Sequence, residues 1–290
     1  MGRPNAGKST LLNRLVGEKI AIVSDKPQTT RTRILGTKNY PEGQIAFVDT
    51  PGIHRPLHRM NVRMVDAAVD TLREVDAVAL VHDASSRPGS GDEFVSRLLQ
   101  KTQAPVVLVL NKIDLVDKAA LLPLIDQLRR WHDFADIVPV SASTGDGIEA
   151  LERVLLAKMP EGAPLFADDY LTDQPQRVIA AETVREKVLQ HTRDELPFST
   201  AVVVDQFEEP ERDGGLMRVF CTILVETESQ KPIVIGRGGS MIKRIGTEAR
   251  KDLQAFFGNK VYLDLRVKVK PDWRDDERVL DDLGLPKRKR

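Results

Sequence analysis

Residues Gly2, Arg3, Pro4, Asn5, Ala6, Gly7, Lys8 and Ser9 fit G-x-x-x-x-G-K-[ST], with Thr10 directly after. In that pattern the glycines let successive backbone N–H groups converge on an anion, and the lysine reaches outer phosphates as a mobile point charge. The Ser9 hydroxyl is placed to hold a Mg²⁺ that bridges two phosphates. The plainer reading is a Gly-rich turn before an ordinary helix.

Further polar clusters follow in a telling order. A loop holding Gln28, Thr29, Thr30 and Arg31 reads as exposed, since adjacent threonines after a proline are poor helix material. Next comes Asp49-Thr50-Pro51-Gly52, in which Asp49 suits Mg²⁺ through water and Gly52 can offer its backbone N–H to a phosphate. Alone, it would read as a surface turn. Asn111-Lys112-Ile113-Asp114 and Ser141-Ala142-Ser143 complete the series. By their own chemistry Ser9 and Asp49 are candidate metal ligands, and Lys8 is the candidate to act on the outer phosphates. His54 and His58 are spaced i, i+4 but lack an evident third ligand, so a metal role is not assigned to them.

The elements that must hold these clusters read as an alternation. A helix carries Leu11, Leu12 and Leu15, a hairpin is expected from Ile34–Tyr40 and Gln44–Val48, and helices from Asn61–Glu74, Asp92–Lys101, Leu121–Trp131 and Ile148–Lys158. Between the helices lie Ala77–His82, Val106–Leu110 and Ile137–Val140, near-continuous apolar runs typical of strands buried on both faces. The fold class is therefore α/β, a mostly parallel sheet covered by helices on both faces. In such a sheet the carboxyl ends of the strands share one edge, which is where Asp49, Asn111 and Ser141 fall. One element is out of place. A P-loop hangs from the end of a buried strand, and only Met1 precedes Gly2. The expectation is a start set too far downstream, with Met1 standing for that strand's last residue, or a truncation with a weakened nucleotide-binding half.

The chain has 290 residues, enough for about two domains. A single cysteine, Cys221, excludes an internal disulfide and suits a reducing compartment. No apolar run is long enough to span a bilayer. A cytoplasmic protein is expected, with peripheral contact at the cytoplasmic face of the membrane left open. The zero net charge hides segregation. Residues 1–158 carry a net +2, residues 159–230 a net −9 and residues 231–290 a net +7. A basic C-terminal segment points to a polyanion partner.

In the second half, residues 159–176 have linker composition and Arg177–Leu196 is an amphipathic helix closed by Pro197. Strands follow at Thr200–Asp205 and Met217–Glu226, joined through Asp213-Gly214-Gly215, then a helix through Glu248–Phe257 and a strand at Val261–Val269. Between them lies G-x-x-G, formed by Gly236, Arg237, Gly238 and Gly239, with Lys243 and Arg244 beside it. Few aromatics flank it, which favours backbone clamping over base stacking. Residues 273–290 read as a tail ending in Lys287-Arg288-Lys289-Arg290, the last run solvated and disordered.

Residues 2–158 resemble the G domain of translation-factor-class GTPases, and residues 177–272 resemble a bacterial, type II KH domain. That resemblance implies that Asp114 accepts hydrogen bonds from guanine, that Asn111 supports the base edge, that Lys112 lies along the ring, and that the Ala142 N–H donates to the guanine oxygen. GTP and GDP with Mg²⁺ are the implied ligands; the resemblance also implies that Thr30, ahead of Thr29, senses the terminal phosphate and its Mg²⁺, which makes the metal set Ser9, Thr30 and Asp49 and the residues acting on the reacting phosphate Lys8, Thr30 and Asn5. Ile53 stands where many members carry a water-positioning glutamine, and in this the chain resembles a branch in which K⁺, held partly by the residue matching Asn5, is a further cofactor. The KH resemblance implies RNA held by Gly236, Arg237, Gly238, Gly239, Lys243 and Arg244. Together they imply a GTP-controlled factor of small ribosomal subunit assembly that binds small-subunit ribosomal RNA, with no stable oligomer. Two alternatives are a GTP-binding, RNA-clamping scaffold with negligible hydrolysis, and an ATPase acting on nucleic acid, which Asn111–Asp114 argues against.

Overall fold

The computed structural model describes residues 1–26, 29–53, 56–193, 196–212 and 214–285. Gln28, His54, Asp213 and the Lys287–Arg290 run, all singled out above, lie outside the described residues.

The P-loop feeds α1 (Lys8–Val16), which starts at left-handed Gly7 and stops at left-handed Gly17. Its Leu11, Leu12 and Leu15 are buried as the spacing requires. β1 (Ile34–Tyr40) and β2 (Gly43–Asp49) form an antiparallel pair running from Ile34 opposite Asp49 to Tyr40 opposite Gly43. α2 (Arg59–Thr71) follows, then β3 (Val78–Asp83), α3 (Ser90–Leu99), β4 (Val106–Asn111), α4 (Lys118–Leu128), β5 (Asp136–Pro139) and α5 (Ile148–Leu156). β3, β4 and β5 make a parallel sheet in that order. β4 is buried at every position, which explains its unbroken apolar sequence.

The second half is α6 (Gln176–His191), the short α7 (Leu196–Ser199), β6 (Ala201–Glu208), β7 (Leu216–Val225), α8 (Lys231–Ile235), α9 (Ser240–Phe257), β8 (Lys260–Val269) and α10 (Glu277–Asp282). β7 is central, antiparallel to β6 and parallel to β8. One core joins α6, α8 and α9 to this sheet through Ala180, Val184, Val219, Val234, Ile245 and Leu253.

Several elements differ from the sequence reading. α4 starts three residues before Leu121, so Pro123 lies inside the helix rather than in its first turn. α6 ends at His191 because Thr192 turns extended, and Pro197 sits inside the separate turn α7 instead of closing one long helix. α9 begins at Ser240, directly after the G-x-x-G loop. Residues 159–176 are not a free linker: Thr37 N donates to Leu171 O at 3.1 Å, Thr172 Oγ1 to Leu35 O at 2.6 Å, and both bonds lay the segment along the β1 edge. Residues 273–285 are not a tail but a folded segment, with Trp273 fully buried and α10 capped by the Asp276 carboxylate. Beside β3, Met1 N donates to Ala79 O at 2.9 Å and Val81 N donates to Met1 O at 2.8 Å.

Candidate functional site

The phosphate-binding candidates are built by short-range constraints. Gly7 has φ 88°, and a Cβ there would come within 2.2 Å of Asn111 Nδ2. Only glycine fits both the conformation and the approach. Asn111, nearly fully buried at the end of β4, explains that approach: its Nδ2 donates to Ala6 O at 2.8 Å, and its Oδ1 accepts from Ala142 N at 3.0 Å. One side chain thus ties the P-loop to both later motif loops.

The three predicted metal ligands converge. Ser9 Oγ lies 2.5 Å from Thr30 Oγ1 and donates to Asp49 Oδ2 at 2.8 Å, while Thr30 Oγ1 donates to the same carboxylate oxygen at 3.1 Å. Thr29 turns away, its hydroxyl donating to Lys26 O at 2.7 Å. A compact set of hydroxyl and carboxylate oxygens is the donor chemistry that suits a hard cation such as Mg²⁺. Lys8 Nζ donates to Arg3 O at 2.8 Å beneath the loop. Burial pulls its pKa down to about 8, with the Asp49 carboxylate opposing. A cation destabilised by burial is poised to gain from an anionic ligand.

The remaining P-loop residues serve the frame. Arg3 NH1 pairs with Asp92 Oδ2 at 2.9 Å, and Asn5, left-handed at φ 62°, donates from Nδ2 to Asp25 O at 2.7 Å. Pro4 packs under Gly52, where an added Cβ would meet Pro4 Cα at 2.9 Å. Thr50 and Pro51 are buried, Thr10 half-buried. Ile53 is buried in the core, and its N–H donates to Gly2 O at 3.2 Å.

In the base-reading candidates, Asp114 is exposed and open to a ligand. Lys112 Nζ reaches Asp83 Oδ2 at 2.6 Å; burial works against that carboxylate, but Lys112 and Ser85 hold it below its usual range. Ser141 is fully buried and accepts from Thr144 N at 3.2 Å, fixing the loop. The Ala142 N–H is directed at Asn111 Oδ1 and Asn111 Nδ2 at Ala6 O, so these two residues weld the three loops together. His58 faces Asp275 at 3.3 Å, and no group of three or more His, Cys, Asp or Glu side chains among the described residues could hold a metal.

The G-x-x-G loop bridges α8 and α9. Gly236 is at φ 75°, and a Cβ there would meet Met241 Cβ and N at 2.7 Å, so this position also demands glycine. Arg237, Gly238, Lys243 and Arg244 are exposed, Arg244 pairing with Glu248 at 3.1 Å, and Gly239 is half-buried.

Missed by the sequence reading is a clasp around Thr30. Thr29 O accepts from Arg185 of α6, Arg31 NH1 donates to Thr200 O at 2.9 Å, and the Arg31 guanidinium lies 5.4 Å from the Trp273 ring centre. Arg63 of α2 donates to Asp281 Oδ1 at 2.9 Å, to Leu285 O at 2.8 Å and to Glu277. No spacing signal could reveal these pairs, since the partners are far apart in sequence.

A family model described as a 50S ribosome-binding GTPase matches residues 1–112, and one described as a KH domain matches residues 195–274. The chain is 50% identical over 284 residues to the GTPase Era of Geobacter metallireducens, covering 98% of this chain and 95% of that protein. It is 46% identical to the GTPase Era of Heliobacterium modesticaldum, with the same coverage. A crystal structure of Era in complex with MgGDPNP and nucleotides 1506–1542 of 16S ribosomal RNA superposes with a TM-score of 0.93 at 41% identity, over 98% of this chain and 96% of that one. A crystal structure of an Aquifex aeolicus Era variant bound to GDP·AlF4⁻ gives a TM-score of 0.92, also at 41% identity and with the same coverage. On sequence, fold and motif order alike, the chain belongs to the GTPase Era family.

Proposed function

We propose that this chain is a GTP-binding and GTP-hydrolysing switch that clamps small-subunit ribosomal RNA during small ribosomal subunit assembly. The observation that carries the reading is the convergence of Ser9, Thr30 and Asp49 on one spot beside Lys8. The Era structures that hold MgGDPNP with 16S ribosomal RNA, or GDP·AlF4⁻, support it. In this reading residues 1–158 form the GTPase unit, 159–176 its connector, 177–272 the KH unit, and 273–290 a C-terminal segment.

Each residue then has a task. Gly2 to Thr10 cradle the phosphates with backbone N–H groups, and Lys8 exchanges the Arg3 carbonyl for an outer phosphate. Ser9, Thr30 and Asp49 hold Mg²⁺, which when bound neutralises charge on the outer phosphates. Gly52 offers its N–H to the terminal phosphate, with Thr50 and Pro51 shaping the turn. Asp114 selects guanine by accepting from its ring N–H and amine, because adenine would leave that carboxylate unpaired at about 1–3 kcal/mol or more. Lys112 covers the ring, and Asn111, Ser141 and Ala142 hold the walls. Ile53 cannot orient water, so we assign the missing positive charge near the reacting phosphate to a K⁺ held partly by Asn5 Oδ1, the oxygen left by the Nδ2 bond to Asp25. Equal hydrolysis rates in K⁺ and Na⁺ would refute that assignment.

At the other end, Gly236 to Gly239 admit a phosphate backbone closely, and Arg237, Lys243 and Arg244 supply charge. We take the protein to act in the cytoplasm without forming a stable oligomer, any membrane contact being peripheral. Among the described residues no helix is long and apolar enough to cross a membrane. Two measurements test the whole reading. Single-turnover phosphate release should occur with GTP and not with ATP. Crosslinking to cellular RNA should recover small-subunit ribosomal RNA, and Gly238→Asp should lose it: an added Cβ there meets no neighbour within 4 Å, and Asp is among the few residues that visit the left-handed φ of 58° found at this position, so a thermal midpoint close to the parent's is expected beside the loss. Release from both nucleotides, or undiminished crosslinking in the variant, would overturn the reading.

A further inference from the structure

The clasp around Thr30 carries more hydrogen-bond donors than its neighbours take up. Arg31 and Arg185 are 4% and 1% exposed. Arg31 NH1 donates to Thr200 O at 2.9 Å. Arg185 Nε donates to Glu182 Oε1 at 2.8 Å, and its NH2 donates to Glu182 Oε2 and to Thr29 O. Three guanidinium nitrogens are left over. Arg31 Nε, Arg31 NH2 and Arg185 NH1 are buried without a hydrogen-bond partner among the described residues. Buried N–H groups of this kind are costly to leave unpaired, and more so when they carry charge.

The charge is out of balance in the same place. The charged groups that act on Arg31 are Arg185, Glu182 and Arg274. Arg274 is matched by Glu226, to which it donates from Nε at 2.7 Å and from NH2 at 2.6 Å. Glu182 is matched to Arg185 in the same two-pronged way. Three cations thus face two carboxylates, and Arg31 is the one left over. The Trp273 ring, 5.4 Å from its guanidinium carbon, offers a weaker substitute for a counter-charge. A guanidinium does not shed its proton to escape such a site.

We propose that Arg31 and Arg185 hold one small monovalent anion of the halide class, chloride being the natural occupant, which accepts from Arg31 Nε and NH2 and from Arg185 NH1. Charge and size select it. A single negative charge closes the balance, and a phosphate dianion would overshoot it. Both side chains are too deeply buried for the carboxylate of a peptide to reach them. A neutral water accepts hydrogen bonds but leaves the charge standing. The site is separate from the P-loop and from the G-x-x-G loop. It lies behind Thr30, against the residues on either side of it. Arg31 belongs to the first half of the chain and Arg185 to α6 of the second, so a shared anion adds a tie between the halves. It also offsets the repulsion between two like charges, which makes the clasp firmer and Thr30 harder to move.

The test uses the full chain in potassium glutamate, with glutamate replaced stepwise by chloride at constant K⁺ and ionic strength. Arg31→Met is the comparison, because it removes the unmatched charge and two of the three free donors. The change of medium acts on both proteins, and so does any halide in the P-loop, whose residues the variant keeps. The thermal midpoint of the parent is expected to rise by about 2–4 °C relative to the variant as chloride is added. A second measurement needs no variant. Crystals of the parent soaked in bromide should show an anomalous scattering peak between the Arg31 and Arg185 guanidinium groups. A chloride response that is the same in parent and variant would overturn the proposal, as would bromide found only elsewhere in the molecule.

Discussion

Replacing Asn111 with Ala tests whether one buried amide welds the nucleotide site. The side chain is 1% exposed and makes two bonds, from Nδ2 to Ala6 O at 2.8 Å and from Ala142 N to Oδ1 at 3.0 Å. Truncation leaves one carbonyl and one N–H unpaired in the interior. An unpaired buried group costs about 1–3 kcal/mol, so the pair amounts to about 2–6 kcal/mol. Against a domain stability of about 5–15 kcal/mol this is a large fraction. Asn111→Asp sharpens the test: it keeps the shape and the Oδ1 bond but sets an acceptor against Ala6 O, so it should lose nearly as much. Urea unfolding of the free protein measures stability, and titration with GDP measures the site, where we expect at least about a tenfold loss from misplacement of the P-loop. If both variants stay within about 0.5 kcal/mol of the parent, the range of a neutral surface change, and bind GDP normally, the welding argument is wrong.

Lys8→Met should abolish nucleotide binding yet stabilise the free protein at neutral pH, because burial holds the Lys8 pKa at about 8 against an ordinary 10.5. The unfolded chain binds the extra proton between those values, so the parent gains stability as pH rises through that window and the variant's advantage shrinks there, as thermal unfolding at a series of pH values would show. Gly236→Ala forces a Cβ to within 2.7 Å of Met241 at a left-handed φ, and should destabilise the KH half by about 1–3 kcal/mol in denaturant unfolding. Arg63→Met removes the bonds to Asp281, Leu285 O and Glu277. Its carboxylate partners are substantially exposed, so the loss should be about 1–2 kcal/mol, seen as faster hydrogen exchange over Glu277–Leu285.

The parts legible in the sequence are those whose chemistry is local. Gly7, Lys8 and Ser9 are neighbours with fixed spacing, and Asp49, Asn111 and Ser141 end strands whose apolar runs are unmistakable, so their meeting at one sheet edge follows from the fold class. Asn111 shows the limit of that reasoning. Its bonds to Ala6 O and from Ala142 N depend on its depth at the end of β4, and depth is a tertiary property. The C-terminal segment shows another limit. Trp273-Arg274-Asp275 and Glu277–Asp282 are short and polar overall, and only their partners, Ser199 O for the Trp273 Nε1–H at 2.8 Å and Arg63 for α10, make them part of the core. The boundaries at Pro123 and Pro197 failed because proline does not stop every helix: α4 runs through Pro123 and forgoes one intrahelical bond, while Pro197 is the second residue of α7, where an N–H would have no intrahelical partner.

How a nucleotide could change RNA binding follows from what holds Thr30. Its hydroxyl faces Ser9 and Asp49, while the residues on either side are gripped by the second half: Thr29 O by Arg185, and Arg31 by Thr200 O and the Trp273 ring. Thr30 cannot shift toward a new partner without pulling on both. α2, which follows Gly52, is tied through Arg63 to the same C-terminal segment that contains Trp273. The two segments nearest the terminal phosphate therefore report to one piece of chain. The clasp is also poorly satisfied. Arg31 Nε and NH2 and Arg185 NH1 are buried without partners, and burial, then Arg185, pulls the Arg31 pKa down to about 9. Guanidinium groups keep their charge in water, so this downward pull marks an interaction that gains little from staying closed. A ligand shifts an equilibrium only by its different affinity for the two states. A clasp held by a few bonds, and weakened by two adjacent buried cations, lowers the difference that a phosphate and its Mg²⁺ must supply to move it. From the clasp, α6 passes into the core shared with Val234 and Ile245 on either side of the G-x-x-G loop, so motion at Thr30 and occupancy of the RNA loop act on one packed unit.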